Sequence, residues 1–440
     1  PGAPFIALMQ YLSFSLFGAS IETARMTSVV FSLISGLAIY SIARSSLSSW
    51  VSLLIAVAGL LTISFLGHAR AAIPDPVATS MALLGLLVFI RVRSRNIAIP
   101  LSIFFAFLAF FSKMYFLSAL LSIIFLWGVE LFILPMIYKY RFDRDAIVIF
   151  VLSLFLLASS YLLYFYIFRF EITIFQSINK NKIPYLDAYF LYLEIKQSLS
   201  VFALNTKTNV LLFALAATYI YFIFTAIRAK AFAEIFEKLR KIGRAEYALA
   251  TWLSSGILLI GILQAHKAHY HFFAILPLIF FAVVSLKLVL PERFYGLGMS
   301  LLLFAHLAYQ VPYYIEWQQR PDKTVIYDAS KDIAGRVLEG ETARVVPVIG
   351  EYSAQLGLFS NRVLSLDAKW VPFATLCQRL DYWRPKFHVN VVWPKSHSTY
   401  VRFKLLKCDI VKRIKEKARY PVFADWQDEL VLTRIYYKDN

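Results

Sequence analysis

The chain has 440 residues, of which 59% are hydrophobic and only 16% are charged. An ordinary soluble domain carries about 25% charged residues, so this composition excludes a soluble globular enzyme, a disordered chain and a fibrous protein. Lys and Arg number 45 against 27 Asp and Glu, a net charge of +18. In a membrane protein such an excess holds cytoplasmic loops inside, so we expect a lipid bilayer and no nucleic acid as partner.

Apolar runs of bilayer length recur along the chain up to about residue 312. A spanning helix needs about 20 apolar residues. Segment 5–17 is too short to span and is expected at the interface. The sequence therefore predicts a polytopic α-helical protein of the cell membrane with about ten spans: 22–43, 47–66, 76–91, 97–112, 114–134, 145–168, 209–228, 247–264, 271–290 and 294–312.

The basic residues predict how these spans are oriented. Alternate loops, above all 91–95, 139–144 and 228–244, are rich in Lys and Arg, whereas the opposite set is poorer. Basic loops stay in the cytoplasm. An even number of spans then places the start of the chain and everything from residue 313 onward outside the cytoplasm.

The composition changes after Pro312, and no later run is long enough to span. Residues 1–312 are therefore predicted to form a transmembrane domain, and residues 313–440 an extracytoplasmic α/β domain. Runs rich in β-branched residues predict strands, and amphipathic runs predict helices. The predicted strands are TARVVPVIG, FHVNVVW and ELVLTRIYY, and the predicted helices are SKDIAGRVLEG and TLCQRLDYW.

Two features of this domain have alternative interpretations. Cys377 and Cys408 could form a disulfide outside the cytoplasm, but the sequence leaves equally open that both are free thiols. The basic stretch from Arg402 to Arg419 is interpreted as a solvated amphipathic helix. Its alternative is docking to anionic headgroups or to an anionic glycan.

The first candidate site is the predicted outer junction His68-Ala69-Arg70-Ala71-Ala72-Ile73-Pro74-Asp75-Pro76. Ionisable groups near the membrane are costly, so they are functional candidates by default. His68, Arg70 and Asp75 fall within eight residues of each other. The alternative is that Asp75 caps the helix beginning near Pro76, with Arg70 as its counter-ion.

Two further outer segments carry charges. Lys113 is one cation in a long apolar run, where an ammonium group suits a lipid-borne phosphate; snorkelling to the interface is the alternative. The loop 169–208 contributes Asp187 and Glu194 as acid/base candidates, although an amphipathic interfacial helix explains most of this loop.

The last candidate site is the cluster from Gln264 to His271, directly before an apolar run. Its His and Lys side chains suit a phosphate or a sugar. Interfacial anchoring is one alternative, and a divalent metal is another, although a metal needs three or four convergent ligands. Otherwise we expect no metal and no cofactor. The residues of this cluster predicted to contact a ligand are His266, Lys267, His269, Tyr270 and His271.

Four segments, in this order, resemble one family. PGAPFIALMQYLSFSLFGASIETARMTSVVFSLISGLAIYSIAR is followed by HARAAIPDPVATSMALLGL, SKMYF and HYHFFAILPLIFF. In the first segment the resemblance rests on Pro1, Pro4, Gly18 and the pair Ala24-Arg25. These segments are similar to the polyprenyl-phosphate-sugar-dependent glycosyltransferases, namely the protein O-mannosyltransferase and aminoarabinose-transferase-like group of the C-type superfamily. No nucleotide-binding motif accompanies them.

The resemblance implies transfer of a sugar from a polyprenyl-phosphate donor to an extracytoplasmic lipid, glycan or protein. In that family the catalytic aspartate precedes the Pro-rich segment, so we expect the main catalytic Asp upstream of residue 1 of a truncated sequence. Asp75 or Glu22 as the base, or an inactive chain, are the alternatives. The donor phosphate and sugar would then contact His68, Arg70, Lys113 and the His266–His271 cluster.

Two other functions compete with a transferase. A transporter or flippase of lipid-linked saccharides would show repeated halves and charges at the bilayer midplane, whereas the charged residues here fall at the predicted outer junctions. A sensor with a ligand-binding outer domain would not need the His68–Asp75 and Gln264–His271 clusters. The sequence therefore favours the enzyme.

Overall fold

The structure is a computed structural model, and it describes most of the chain. Two segments predicted to carry functional residues, 169–206 and 263–273, lie outside the described part. The described residues are 4–18, 20–69, 74–113, 116–139, 141–168, 207–228, 243–262, 274–319, 325–350, 356, 362–366, 373–392, 405–423 and 428–438.

The chain forms two compact units. The first comprises residues 1–18 and 22–314, and the second comprises residues 19–21 and 315–440. The helices of the first unit are α1 (Pro4–Phe17), α2 (Ile21–Ala43), α3 (Ser49–Leu61), α4 (Ile63–Ala69), α5 (Pro74–Arg91), α6 (Arg95–Ser112), α7 (Leu117–Gly128), α8 (Leu134–Tyr138), α9 (Arg144–Phe168), α10 (Asn209–Arg228), α11 (Arg244–Ile262), α12 (Ile275–Ser285) and α13 (Tyr295–Gln319), the last of which continues into the second unit.

Within the described ranges, six helical stretches are long and apolar enough to cross a membrane. They match six of the ten predicted spans. Four shorter apolar helices, 5–17, 49–61, 209–221 and 275–285, accompany them. The run predicted as one span over 47–66 is divided into α3 and α4 at Thr62. The six stretches are Glu22–Ala43, Pro74–Arg91, Arg95–Ser112, Leu117–Tyr138, Arg144–Leu163 and Glu292–Glu316.

The second unit is built on a mixed five-stranded sheet. Strands β1 (Val346–Ile349), β2 (Val363–Leu366) and β3 (Phe387–Val392) are parallel, with β1 in the middle. Strands β4 (Val411–Phe423) and β5 (Asp428–Tyr437) are antiparallel, and β5 joins them to β3. The order β2-β1-β3-β5-β4 leaves β4 at one edge. The three strands predicted from the sequence are confirmed as β1, β3 and β5.

Helices cover both faces of this sheet, as a sheet with two apolar faces requires. The first, α14 (Val325–Leu338), buries Ile333 and Val337 against one face. The second, α15 (Phe373–Trp383), buries Leu376 and Leu380 in a separate apolar cluster with Ile349. Both helices predicted for this region are therefore confirmed.

From Val411 to Arg419 the basic stretch is not the amphipathic helix that the sequence predicted, because residues 411–423 form β4. Val411 and Ile414 are both buried and stand three residues apart, which is a helical spacing. A register shift between Val411 and Arg413 accommodates an extra residue in the strand. Such a bulge breaks the alternation by which strands are identified, so the prediction was wrong for this reason.

The two cysteines, left open by the sequence, are paired. Cys377 on α15 and Cys408 ahead of β4 form a disulfide with their Cα atoms 5.4 Å apart, well within the usual range for such bonds. Cys408 is almost fully buried beside Leu376 and Leu405. The disulfide therefore ties α15 to the segment that leads into the edge strand.

A polar contact joins α14 to β4 at the periphery of the other face. The Tyr420 hydroxyl donates a hydrogen bond to Asp332, which also pairs with Arg336 at 2.8 Å. Burial and the bond to Asp332 raise the pKa of Tyr420 to about 12. The same bond, followed by Arg336, holds the pKa of Asp332 below its usual value.

Gly350, directly after β1, occupies a position where a residue with a side chain would not fit. Its φ of 147° disfavours L residues, and a Cβ there would collide with the backbone carbonyl of Val389 on β3. We expect Gly350→Ala to lower the free energy of unfolding by at least about 2 kcal/mol. Gly335→Ala on α14, where nothing lies near the added methyl group, is the matched control and should be neutral or stabilising.

Thermal unfolding and hydrogen exchange of β1 and β3 in the purified protein would measure both variants. If Gly350→Ala and Gly335→Ala prove equally stable, the close approach at Gly350 does not contribute to the stability of the fold.

Candidate functional site

The site is organised by the hairpin of α5 and α6. Only residues 92–94 connect these helices, and a connection this short makes them antiparallel neighbours. Gly85 allows a close approach, because a Cβ there would meet the carbonyl of Ser102 at 3.0 Å. The start of α5 and the end of α6 consequently lie side by side.

At this shared end of the hairpin, Asp75 and Lys113 form an ion pair. The Lys113 ammonium donates a hydrogen bond to Oδ1 of Asp75. The Asp75 side chain is 2% exposed and that of Lys113 is 14% exposed. Asp75 lies in the first turn of α5, and Lys113 caps the end of α6. Helix dipoles stabilise an anion at the start of a helix and a cation at its end, so both charges are favourably placed.

Lys113 lies at the point where helix α6 ends. Its φ of −158° and ψ of 123° are extended, so α6 ends at Ser112 instead of running on into α7. Its backbone N–H still bonds to the carbonyl of Ala109 at 3.0 Å. The two spans predicted on either side of Lys113, 97–112 and 114–134, are separate helices in the structure, and the cation stands at the junction between them.

Of the predicted site residues, the structure brings together Asp75 and Lys113. The backbone of His68 lies in the last turn of α4, which packs against α5, but its side chain is outside the described part. Arg70 also lies outside it, as do His266, Lys267, His269, Tyr270 and His271, and Asp187 and Glu194. Their roles stay predictions. Within the described ranges no group of three or more His, Cys, Asp or Glu could hold a metal.

The opposite end of the hairpin is held by basic residues. Arg244, at the start of α11, pairs with Glu130 at 2.7 Å and lies 4.2 Å over the ring of Phe89. Arg95 pairs with Asp143 at 3.2 Å, and both side chains are exposed. Arg91 donates a bond to the Ser41 carbonyl. These contacts form a basic cluster one helix length from Asp75.

A buried polar group in α13 was missed by the sequence analysis. His306 lies within hydrogen-bonding distance of the Thr62 hydroxyl, at 3.0 Å. The side chain of Gln310 accepts a bond from the Ile63 N–H at 3.2 Å and donates one to the Lys207 carbonyl at 2.8 Å. These bonds satisfy polar groups at the division between α3 and α4. The sequence did contain a sign of this buried polar contact, namely a His and a Gln four residues apart inside the apolar run 294–312.

An apolar groove of about 690 Å³ lies between α7 and α11. It follows α7 from Leu121 to Phe125, beginning two turns after Lys113. Hydroxyl groups are interspersed with large apolar side chains, so the groove suits a long hydrocarbon better than a charged ligand. It is lined by Leu121, Ser122, Ile124, Phe125, Tyr247, Ala250, Thr251, Ser254, Ser255 and Leu258.

Known proteins resemble the chain in two ways. Residues 1–165, which contain the α5–α6 hairpin, match the family model described as dolichyl-phosphate-mannose-protein mannosyltransferase. The fold is similar to crystal structures of ArnT from Cupriavidus metallidurans, one bound to undecaprenyl phosphate and one in the apo state. Their TM-scores are 0.56 and 0.54; each is 14% identical, and each comparison covers 98% of this chain and 87% of the other.

No curated protein matches the chain in sequence. The family match and the fold nevertheless agree with each other, and both agree with the resemblance found in the sequence. The chain is therefore a multi-pass membrane protein whose residues 1–165 match the mannosyltransferase family model and whose fold is similar to that of ArnT.

Proposed function

We propose that this protein transfers a sugar from a polyprenyl-phosphate donor to an acceptor outside the cytoplasm, which is a lipid, a glycan or a protein. The observation that carries the proposal is the ion pair between the buried Asp75 and the partly buried Lys113, which falls inside the segment matching the mannosyltransferase family. The family's description names a lipid-phosphate sugar, and one ArnT structure is bound to a lipid phosphate. An ammonium group at a helix junction fits such a ligand.

The proposed reaction is a displacement at the anomeric carbon of the donor sugar. The acceptor oxygen forms a bond to that carbon, the bond from carbon to phosphate oxygen breaks, and the polyprenyl phosphate leaves as an anion. A carboxylate takes the hydroxyl proton. We assign Lys113 to the leaving phosphate, where a positive group stabilises the charge that develops in the transition state.

In this proposal Asp75 positions Lys113. Its carboxylate already accepts a hydrogen bond from the ammonium group, so it fixes the direction in which that group points. Asp75 and the end of α6 together hold the ammonium at the open end of the hairpin before the donor binds. A role for Asp75 as the base itself, as expected from the sequence, stays a prediction.

The charges at the two ends of the α5–α6 hairpin support an orientation of this hairpin across the membrane. Arg91, Arg95 and Arg244 cluster at one end, and clusters of basic residues mark the cytoplasmic side. Asp75 and Lys113 at the opposite end then face the extracytoplasmic side. The disulfide between Cys377 and Cys408 supports the same side for the second unit, because disulfides persist in oxidising compartments.

The groove between α7 and α11 fits the donor's isoprenoid chain. Its lining is dominated by carbon atoms, and α7 begins shortly after Lys113. A hydrocarbon tail in the groove would leave the phosphate near the helix ends, where the positive charge lies. Binding of the tail would thus position the reacting phosphate.

A transfer assay with purified full-length protein tests the proposal. Polyprenyl phosphates carrying different radiolabelled sugars would be incubated with the protein in nanodiscs, and release of polyprenyl phosphate and labelling of an acceptor would both be measured. We expect release with at least one donor, and release that depends on Lys113. Movement of intact donor between leaflets without release would instead support a flippase.

A further inference from the structure

The edge strand β4 carries an unusual number of positive charges. Between Val411 and Tyr420 there are five basic residues and a single acidic one, Glu416. All five basic side chains are exposed: Lys412, Arg413, Lys415, Lys417 and Arg419.

Three cations meet on one face of the sheet around a tyrosine. In the register of β4 and β5, Lys415 is opposite Arg434, and Arg413 is opposite Tyr436. Opposed residues project from the same face. The guanidinium groups of Arg413 and Arg434 lie 4.5 Å and 5.7 Å from the centre of the Tyr436 ring. We call these four residues the basic face.

The arrangement costs stability. Like charges directly opposite each other on neighbouring strands repel. In the part of the chain that the structure describes, Arg413, Lys415 and Arg434 have no carboxylate within ion-pair distance. Glu416 pairs with Arg419 instead, at 2.9 Å. Among the described residues, therefore, no carboxylate offsets the repulsion on this face.

Protection of the sheet edge explains only part of this pattern. Lysines on an edge strand prevent sheets from pairing with one another, which accounts for residues such as Lys412 and Lys417. It does not account for Arg434, because β5 is an interior strand paired on both sides. A row of cations that extends from the edge into the sheet requires another explanation.

We propose that the basic face docks on anionic phospholipid headgroups. Clusters of basic residues bind such surfaces, each contributing about fivefold to the binding equilibrium, and tyrosine favours the interface between lipid and water. The α/β unit is also tethered close to the bilayer, because only residues 317–324 separate the last candidate span from α14. A tethered domain meets the bilayer at high effective concentration.

The test uses full-length protein in nanodiscs of phosphatidylcholine with and without phosphatidylglycerol. Hydrogen exchange of residues 411–419 reports whether the outward amides of the edge strand are covered. The variant Lys415→Gln/Arg434→Gln removes two opposed charges, and the control Lys331→Gln/Arg344→Gln removes two exposed charges elsewhere in the unit. Because the first variant relieves a repulsion, it should fold at least as stably as the wild type.

We expect slower exchange of β4 in anionic nanodiscs at low salt, and faster exchange when salt screens the charges. Lys415→Gln/Arg434→Gln should weaken docking by roughly 25-fold, whereas the control should dock normally. Equal exchange in neutral and anionic nanodiscs would overturn the proposal. Protection that appears only when soluble heparin is added would also overturn it, in favour of a glycan partner.

Discussion

Lys113→Met is expected to lower the rate of sugar transfer by about 10²–10³-fold, the effect of removing one group that stabilises a developing anion. The reason is that Lys113 presents its ammonium at the junction of α6 and α7, where the leaving phosphate is proposed to lie. Initial rates of polyprenyl phosphate release in nanodiscs would measure the loss. Arg95→Met, on the same helix but at its other end, should leave the rate unchanged.

A second variant separates function from folding. Asp75→Asn alone removes the carboxylate that pairs with the partly buried Lys113, and breaking a fully buried pair costs about 3–5 kcal/mol of stability, which is an upper bound here. The double variant Asp75→Leu/Lys113→Met removes both charges, so it should regain most of that stability. It should nevertheless stay inactive. If the double variant recovers transfer as well as stability, the pair is structural and the phosphate binds elsewhere.

The second large effect is expected from the disulfide. Replacing Cys377 and Cys408 by Ala should lower the stability of the α/β unit by about 3–4 kcal/mol, the chain-entropy value for a loop of this length. For a unit of this size that is roughly 10–15 °C in melting temperature. The bond ties α15 to the segment before β4, so hydrogen exchange in both should accelerate.

Wild-type protein treated with reductant is the matched control, because it should behave like the double alanine variant. Alkylation followed by mass spectrometry of protein from intact cells would show whether the thiols are protected in vivo. Free, alkylated thiols in untreated protein would contradict both the bond and the extracytoplasmic position proposed for this unit.

The sequence predicted features that depend on local composition and periodicity. The apolar runs around Asp75 and Lys113 became α5, α6 and α7, because a span is determined by length and hydrophobicity alone. The strands β1, β3 and β5 were recognised by their β-branched residues. β4 was not, because its bulge lets both Val411 and Ile414 be buried although they stand three residues apart, which is the spacing typical of a helix.

The partner of Asp75 depends on packing. The sequence suggested Arg70, five residues away, as its counter-ion, and Arg70 lies outside the described residues. The structure pairs Asp75 with Lys113, 38 residues away, which proximity in the sequence could not suggest. The antiparallel hairpin makes these two neighbours. His306 and Gln310 were missed for a similar reason, since their partners are Thr62 between α3 and α4, Ile63 at the start of α4, and Lys207 before α10.

The short connection between α5 and α6 has a consequence for biogenesis. Asp75 and Lys113 belong to one helical hairpin, so they can leave the translocon together as a neutral pair. A lone charge in a membrane segment raises the free energy cost of inserting that segment. Pairing within the hairpin lowers this cost, because each charged group keeps a polar partner when it loses water. The contact can therefore form during synthesis, before the downstream helices have emerged from the ribosome.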